Sequence, residues 1–507
     1  MANWYVGSTK YTAVATWTAL TTYSVGNIVR QLATPAVNSE RCFRVSAITT
    51  GISGAAEPSW TLTKNGTTTD SGVTWTECTG QALYNGDGGG SAYAAPHARV
   101  ANAINTSWSA AGDNIYVSNN HAETQASAIS ISSSNGTVAN NMKVICVSDA
   151  AVPPTTTATS ATVSTTGSND ISLAAPAVYW YGIKFNSGNA INVVPSGGNQ
   201  PPTFDTCTLT LNNASAGTFF WFGSSNVNTT EPAFLNCAFV FGASTQTFGN
   251  SNTGEGFYIY GGSVAATGTV PSTCFTATSR TCSILVRDCD LSAITGNIVG
   301  GNVQDGGVTI ENCAVGVAAT LNAASLSTYN SFVKVLNCDS SATNYRYYFS
   351  AYGGTVQQET TIVRTGGATN GTTPISWNIT SGTNLSYYQP FITEEIVQWN
   401  DTSGSAKTVT VYLTSNSTLT NQDVWIEVEY LSSASNPLGA LTTTKVSIFG
   451  TPATLTTDAS TWGGAITNKY KIVSSSFTPQ SKGPVKVRIG VSKASTTVYV
   501  DPLLTIA

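Results

Sequence analysis

Tyr181-Gly182-Ile183-Lys184-Phe185, Asp205-Thr206-Cys207-Thr208-Leu209, Asn236-Cys237-Ala238-Phe239-Val240, Asp288-Cys289-Asp290-Leu291, Asn312-Cys313-Ala314-Val315 and Asn337-Cys338-Asp339 recur between Val178 and Asp339. In each, a small residue follows a polar one and opens a strand-like piece. Gly182 to Cys207 is 25 residues, Cys207 to Cys237 is 30, Cys237 to Cys289 is 52, Cys289 to Cys313 is 24 and Cys313 to Cys338 is 25. With the longest interval read as two, one unit is about 25 residues. A fixed period of that size means stacking, in which no unit buries its apolar face alone and each covers its neighbour. Apolar pairs after each corner, separated by Gly, Asn, Ser and Thr, predict short parallel strands joined by turns, not helices.

At these residues the chain resembles the right-handed parallel β-helix of pectate-lyase-like proteins and phage tailspikes. Gly182, Cys207, Cys237, Cys289, Cys313 and Cys338 would then stack as an inward ladder of small side chains. A β-sandwich with coincidental cysteine spacing is the competing reading.

Composition agrees with an all-β protein. Only 9% of the 507 residues are charged and 41% are hydrophobic, which excludes disorder and leaves strand and turn dominant. Residues 1–93 carry 5 basic and 5 acidic groups, 94–389 carry 8 and 13, and 390–507 carry 8 and 8, so the net charge of −5 arises in the middle. No segment is basic, and nucleic acid is not expected as a partner. No apolar run is long enough to span a bilayer, so membrane insertion is not expected either. Met1-Ala2-Asn3-Trp4-Tyr5-Val6 lacks the basic and apolar regions of a signal peptide, predicting cytoplasmic synthesis. The ten cysteines are read as reduced, with Cys42 and Cys78 the one pair placed to form a disulfide. No CxxC occurs, and neither a metal nor a cofactor is expected.

The expected organisation is a small β module over 1–84, a Gly-rich linker over 85–97, a capped parallel β-helix over 98–350 and an antiparallel β-sandwich over 351–507. In the first module, Tyr23–Arg30, Cys42–Val45, Glu57–Trp60 and Val73–Thr76 read as four β segments. Trp17 and Tyr23-Ser24-Val25-Gly26-Asn27-Ile28-Val29 resemble the small chitin-binding modules of bacterial chitinases, without the adjacent Trp-Trp pair of that pattern. Trp17, Tyr23, Trp60 and Trp75 therefore form either a sugar-stacking platform or simply the core. Val100, Ala101, Ile104 and Trp108 have helical spacing over Ala98 to Ala110, and the resemblance implies an amphipathic cap over the first coil. Alternation in Thr408–Leu413, Val424–Tyr430, Val485–Val491 and Val498–Asp501 marks antiparallel strands, and the last resembles jelly-roll carbohydrate-binding modules.

Chemistry, if present, requires carboxylates across one groove. The candidates are Asp288 and Asp290, read as sharing one strand face, with Arg287, and Asp305 and Glu311, the last aligned beside Arg287 one coil on. A surface ion-pair patch is the plainer reading of the same residues. His97 and His121 are the only histidines, so no catalytic triad or histidine metal cluster is available, and His121 is read as structural or interfacial.

Taken together, the modules resemble bacteriophage virion surface proteins. That resemblance implies a non-enzymatic structural protein on the particle surface, as capsid decoration, head fibre or tail fibre. It implies a homotrimer in contact with other virion proteins of the capsid or tail, and with host surface polysaccharide. A tailspike depolymerase acting on capsule or lipopolysaccharide is the alternative.

Overall fold

Thr206, Asn236, Asp288 and Asn312 all have φ between 52° and 55°, and Gly182 and Gly261 have φ of 70° and 71°. The left-handed region costs least for Gly, Asn and Asp, so the chain places those types at its repeated corners, Thr206 excepted. The corner after each strand is therefore one backbone conformation stacked on itself. Gly182 N–H donates to Asp205 O at 3.1 Å, Thr206 N–H to Leu235 O at 2.8 Å and Asn236 N–H to Tyr260 O at 2.8 Å.

The computed structural model describes residues 2–507 apart from 82–93, 105–106, 133, 138, 151–153, 194–200, 213–219, 223–231, 251–255, 267–270, 277–282, 301, 304–306, 317–318, 323–324, 327–331, 341–346, 353, 368, 371–372, 381–394, 400–404, 432–444, 451, 453, 479–483 and 492. It divides into one unit of 1–243 with 257–263, and a second of 244–256 with 264–507. The fold is all-β, a parallel β-solenoid with additional antiparallel sheets, as the corner spacing predicts.

In the first unit, each coil contributes strands to three parallel sheets. Asn114–Ser118, Met142–Val147, Val178–Tyr181, Thr203–Asp205, Ala233–Leu235 and Phe257–Tyr260 stack in register as the first. Ala122–Gln125, Thr162–Thr165, Lys184–Ser187, Thr208–Leu211 and Ala238–Phe241 form the second. Ile129–Ile131, Ile171–Leu173, Ile191–Val193 and Phe220–Phe222 form the third. Inside them Trp180, Phe204 and Phe234 stack at 6.0 and 5.0 Å between ring centroids. Each such pair adds about 0.5–1.5 kcal/mol beyond area burial.

The inward ladder differs by one residue at its start. Thr208 N–H donates to Ile183 O and Ala238 N–H to Cys207 O, so Ile183, not Gly182, precedes Cys207 in the column. Gly182 occupies the left-handed corner itself, where an added Cβ would clash with Ala158 O. Gly262 fills the ladder position between Cys237 and Cys289, dividing the interval of 52 into 25 and 27. The thiols explain their own recurrence. Cys207 Sγ donates to Asp205 O at 3.4 Å and Cys237 Sγ to Leu235 O at 3.4 Å, so a small weak donor satisfies the carbonyl two residues back inside a tight corner.

The first coil is capped differently from expectation. A helix spans only Val100–Ala103, with no side-chain cap at Arg99, because Asn, Thr and Ser in this stretch are weak helix formers. The open strand edge is instead paired by Asn3–Val6, which runs parallel to Asn114–Ser118. Asp113 fixes that strand by accepting the Ala2 N–H and the Trp4 indole N–H. The N-terminal sheet has the order Ile28–Arg30, Cys42–Ile48, Val73–Glu77, Thr67–Asp70, all antiparallel. Thr67–Asp70 supplies the fourth strand, and Glu57–Trp60 is irregular. Ala95 and His97, expected in the linker, are fully buried, and His97 bridges to Val6.

In the second unit, Ser283–Arg287, Gly307–Glu311 and Phe332–Ser340 continue as parallel rungs. The pairing turns antiparallel where Phe332–Ser340 meets Tyr347–Tyr352 and where Ser325–Leu326 meets Gly354–Glu359. Among the described residues, two larger antiparallel sheets follow, along with the two-stranded pair Thr369–Asn370 and Thr373–Pro374. One includes Ser376–Thr380, Thr497–Val500, Val409–Ser415 and Asn468–Val473, and the other Glu395–Trp399, Pro484–Val491, Val424–Leu431 and Lys445–Gly450. The buried Val409, Val411 and Leu413 show the period-2 alternation that the sequence carries, whereas in Val424–Leu431 the buried Trp425 between Val424 and Ile426 interrupts it.

Candidate functional site

The four aromatic residues of the N-terminal module are brought together, but mainly as core. Trp17 and Trp75 are 1% and 0% exposed, and both indoles donate to one Asp70 carboxylate oxygen, at 2.8 and 3.2 Å. Trp60 is half-buried, stacked on Phe43 at 4.0 Å, with its indole on Glu57. Tyr23 meets the Trp75 edge at 4.9 Å. Two of the four rings are therefore unavailable to a sugar face.

Among the solenoid carboxylates, Asp288 and Asp290 do not share a strand. Asp288 is the left-handed corner between Ser283–Arg287 and Asp290–Leu291, its N–H bonded to Glu311 O at 3.0 Å, so only Asp290 of the two lies in a strand. Asp290 accepts the Ser292 N–H at 2.9 Å. Glu311 lies opposite Arg287 in register and takes both Nε and Nη2 on one oxygen, at 3.0 and 2.7 Å. Asp305 lies outside the described residues. Cys42 and Cys78 are free and buried, and the Cys78 thiol points to Cys42 O at 3.6 Å. Among the described residues no three His, Cys, Asp or Glu side chains converge as a metal site, and no helix is long and apolar enough to cross a membrane.

Polar groups do converge in a cleft of about 300 Å³ in the first unit. Its walls come from the short helix Ser8–Ala13, the end of Ile28–Arg30 and the loop to Glu40, the residues before Val100–Ala103, and strand Ala122–Gln125. Arg99 ties its two carboxylates together, with Nε 2.6 Å from Glu40 Oε1 and Nη1 3.7 Å from Glu123 Oε1. Glu40 also accepts Asn102 Nδ2 at 3.1 Å. Glu123 Oε1 accepts Gln125 Nε2 at 2.5 Å, and Oε2 accepts the Val100 N–H at 3.1 Å with His121 Nε2 3.4 Å away. Burial acts to raise the Glu123 carboxyl, but these donors and the His121 ring outweigh it and hold the group below its usual range. Glu123 is therefore a fixed carboxylate.

Tyr11 forms part of the wall, is 6% exposed, and its hydroxyl has no hydrogen-bond partner. Burial, then the nearby Cys42 and Glu40, push its hydroxyl well above the ordinary value, so it is a neutral donor. Arg30 lies over its ring at 5.8 Å. His121 occupies the corner column ahead of Ala161 and Ile183, and its Nδ1 accepts the Ser8 N–H at 3.0 Å. Sequence reasoning reached His121 as structural and missed Tyr11, Glu40, Arg99 and Glu123. The available signal was the rarity of charge, since in a chain with 9% charged residues every buried one has a partner to be found.

No protein-family model matches this chain, and no curated protein does. Among solved structures, the enzymatically active domain of bacteriophage CBA120 tailspike protein 4 aligns over 99% of this chain and 77% of its own, at 12% identity and a TM-score of 0.29. The Acinetobacter phage vB_ApiP_P1 tailspike protein aligns over 97% and 98%, at 10% identity and a TM-score of 0.19.

Proposed function

We propose that this chain is a structural protein displayed on a bacteriophage particle surface, as capsid decoration, head fibre or tail fibre, and that it contacts host glycan without cleaving it. The observation that carries the reading is the use of the three described candidate carboxylates. Asp288 turns a corner, Asp290 binds its own backbone and Glu311 is held by Arg287, so each serves the scaffold. A glycosidase needs two carboxyl groups facing one scissile bond. The N-terminal module adds support for docking, since Leu20, Val25, Leu32, Val37, Ile48, Ile52 and Leu62 are large apolar side chains it leaves 38–70% exposed. The assembly proposed is a homotrimer bound to other virion proteins.

Two measurements test this. Gradient-purified particles of the phage encoding the chain are labelled with antibody against the purified protein; surface labelling is expected, and particles without the protein overturn the display reading. The protein is also incubated with host capsule and lipopolysaccharide, and glycan length is followed by gel filtration. Unchanged length is expected. Shortened glycan establishes the depolymerase alternative instead.

A further inference from the structure

We propose that the loops at one end of the N-terminal sheet, around Leu20, Val25, Ile48 and Ile52, form a plug that seats in an uncharged apolar groove on another protein of the particle. The proposal rests on the display reading above, and it names the part of the chain that docks and the chemistry of what receives it.

Among the described residues, the large apolar side chains that stand exposed all fall between residues 20 and 62. Backbone hydrogen bonds gather four of them. Leu20 N–H donates to Gly54 O at 3.0 Å, Tyr23 N–H to Gly51 O at 2.7 Å and Gly26 N–H to Val45 O at 2.9 Å. Thr49 N–H donates to Gly72 O, and Gly72 N–H donates back to Ile52 O. Beneath these loops Asp70 takes the Gly54 N–H and both the Trp17 and Trp75 indoles, so the loops rest on a fixed base.

Leu20 shows that the exposure is held, not incidental. It is 70% exposed and has φ of 50°, a left-handed conformation that Gly or Asn adopts at less cost. A leucine there strains the backbone and gains no burial within the chain. Strain of that kind persists where a partner uses it.

The chemistry of the partner follows from charge and shape. Residues 11–29 and 45–56 contain no Asp, Glu, Lys or Arg, although residues 1–93 carry 5 basic and 5 acidic groups. A charged surface would lose hydration against these loops and gain no counter-charge, so the fitting partner is uncharged and apolar. A lipid surface matches less well, because a membrane-seeking loop carries basic residues for the headgroups and aromatic residues at the interface, and here Trp17 and Trp75 are buried. A second copy matches less well too, since two such tips meeting head-on bury little of each other, whereas a groove wraps one.

In the test, phage lacking the gene for this chain are grown on host cells that supply the full-length protein or a variant. Copies on gradient-purified particles are counted by quantitative immunoblot. The parent is expected on the particles and should be retained through washes at about 1 M NaCl, because no charge pair holds the contact. Leu20→Asn relieves the left-handed strain and removes the apolar side chain, so copy number should fall roughly 10-fold while the melting temperature holds or rises. Leu20→Asn combined with Val25→Ser should leave none. Leu62→Asn, at an exposed leucine outside these loops, should leave copy number unchanged. Unchanged copy number in both tip variants overturns the plug, as does a parent stripped by salt or a loss in Leu62→Asn equal to that in Leu20→Asn. A Leu20→Asn protein that melts clearly lower also overturns it, since Leu20 then serves the fold. Self-association of the free parent in sedimentation velocity that the tip variants lose gives the tip to a second copy instead, and binding to phosphatidylcholine vesicles that they lose gives it to lipid. Particles that never carry the parent remove the display reading itself, whereas particles that carry parent and tip variants alike remove only the plug.

Discussion

His97→Leu should make the protein less sensitive to acid. His97 is fully buried, its ring 6.2 Å from Trp4 and 5.5 Å edge-on from Trp108, and neither ring nitrogen has a hydrogen-bond partner. Burial, then the positive charges of Arg41 and Lys64, lower its pKa from 6.5 to about 3. The folded state thus binds fewer protons than the unfolded state between these values. Stability from this group is complete above pH 6.5 and drains as pH falls toward 3, at up to about 1.4 kcal/mol per pH unit, or roughly 3 kcal/mol by pH 4. Leu has no proton to exclude. At pH 7 the variant should match or exceed the parent by about 1 kcal/mol, because losing two unpartnered polar atoms offsets the lost ring contacts. The assay is urea unfolding at pH 7, 5.5 and 4.5, with NMR titration of the two labelled histidines. One resonance should stay in the neutral form down to about pH 4. If both histidines titrate near 6.5, or the acid limbs of parent and variant run parallel, the reasoning about this buried ring is wrong.

Other predictions concern corners, core and thiols. Thr206→Asn should stabilise by about 0.5–1 kcal/mol, because a β-branched residue holds φ of 53° there, while Gly182→Ala should destabilise by more than 2 kcal/mol through its clash with Ala158 O; thermal unfolding ranks the pair. Asp70→Ala should cost about 3 kcal/mol or more, since the Trp17 and Trp75 indoles and the Gly54 N–H all lose one acceptor, and near-UV circular dichroism should report the loosened tryptophans. The nine described thiols, all buried and free, should resist a thiol reagent in the native state and react on denaturation. Fast native labelling of several thiols would contradict the inward ladder.

The solenoid was legible because one corner makes two demands at adjacent positions. The first position must tolerate φ near +55°, which selects Gly, Asn and Asp, and the second must fit inside the bend, which selects Cys. The repeat of that pair is visible without coordinates. Its one slip has the same cause, since glycine satisfies either demand. The spacing puts Gly182 at the inner position, whereas in the structure it holds the outer one and Ile183 is inside. Asp288 and Asp290 misled for a related reason, because spacing of two implies one face only where the strand runs straight, and a corner lies between them.

The N-terminal cleft was illegible for a different reason. Its ion pairs join Glu40 to Arg99 across 59 positions and bring Glu123 to the same guanidinium, with no period relating the three. What assembles them is the return of Asn3–Val6 onto Asn114–Ser118, a parallel pairing between segments 111 residues apart that neither alternation nor turn chemistry announces. Once that strand is placed, Tyr11 and Ser8 must follow it onto the first coil, and the Cys42, Cys78, Ala95 and Ala98 core closes behind Tyr11. The same closure buries a hydroxyl and two carboxylates. Only the carboxylates find partners within the chain, and the Tyr11 hydroxyl is left inside the fold without one.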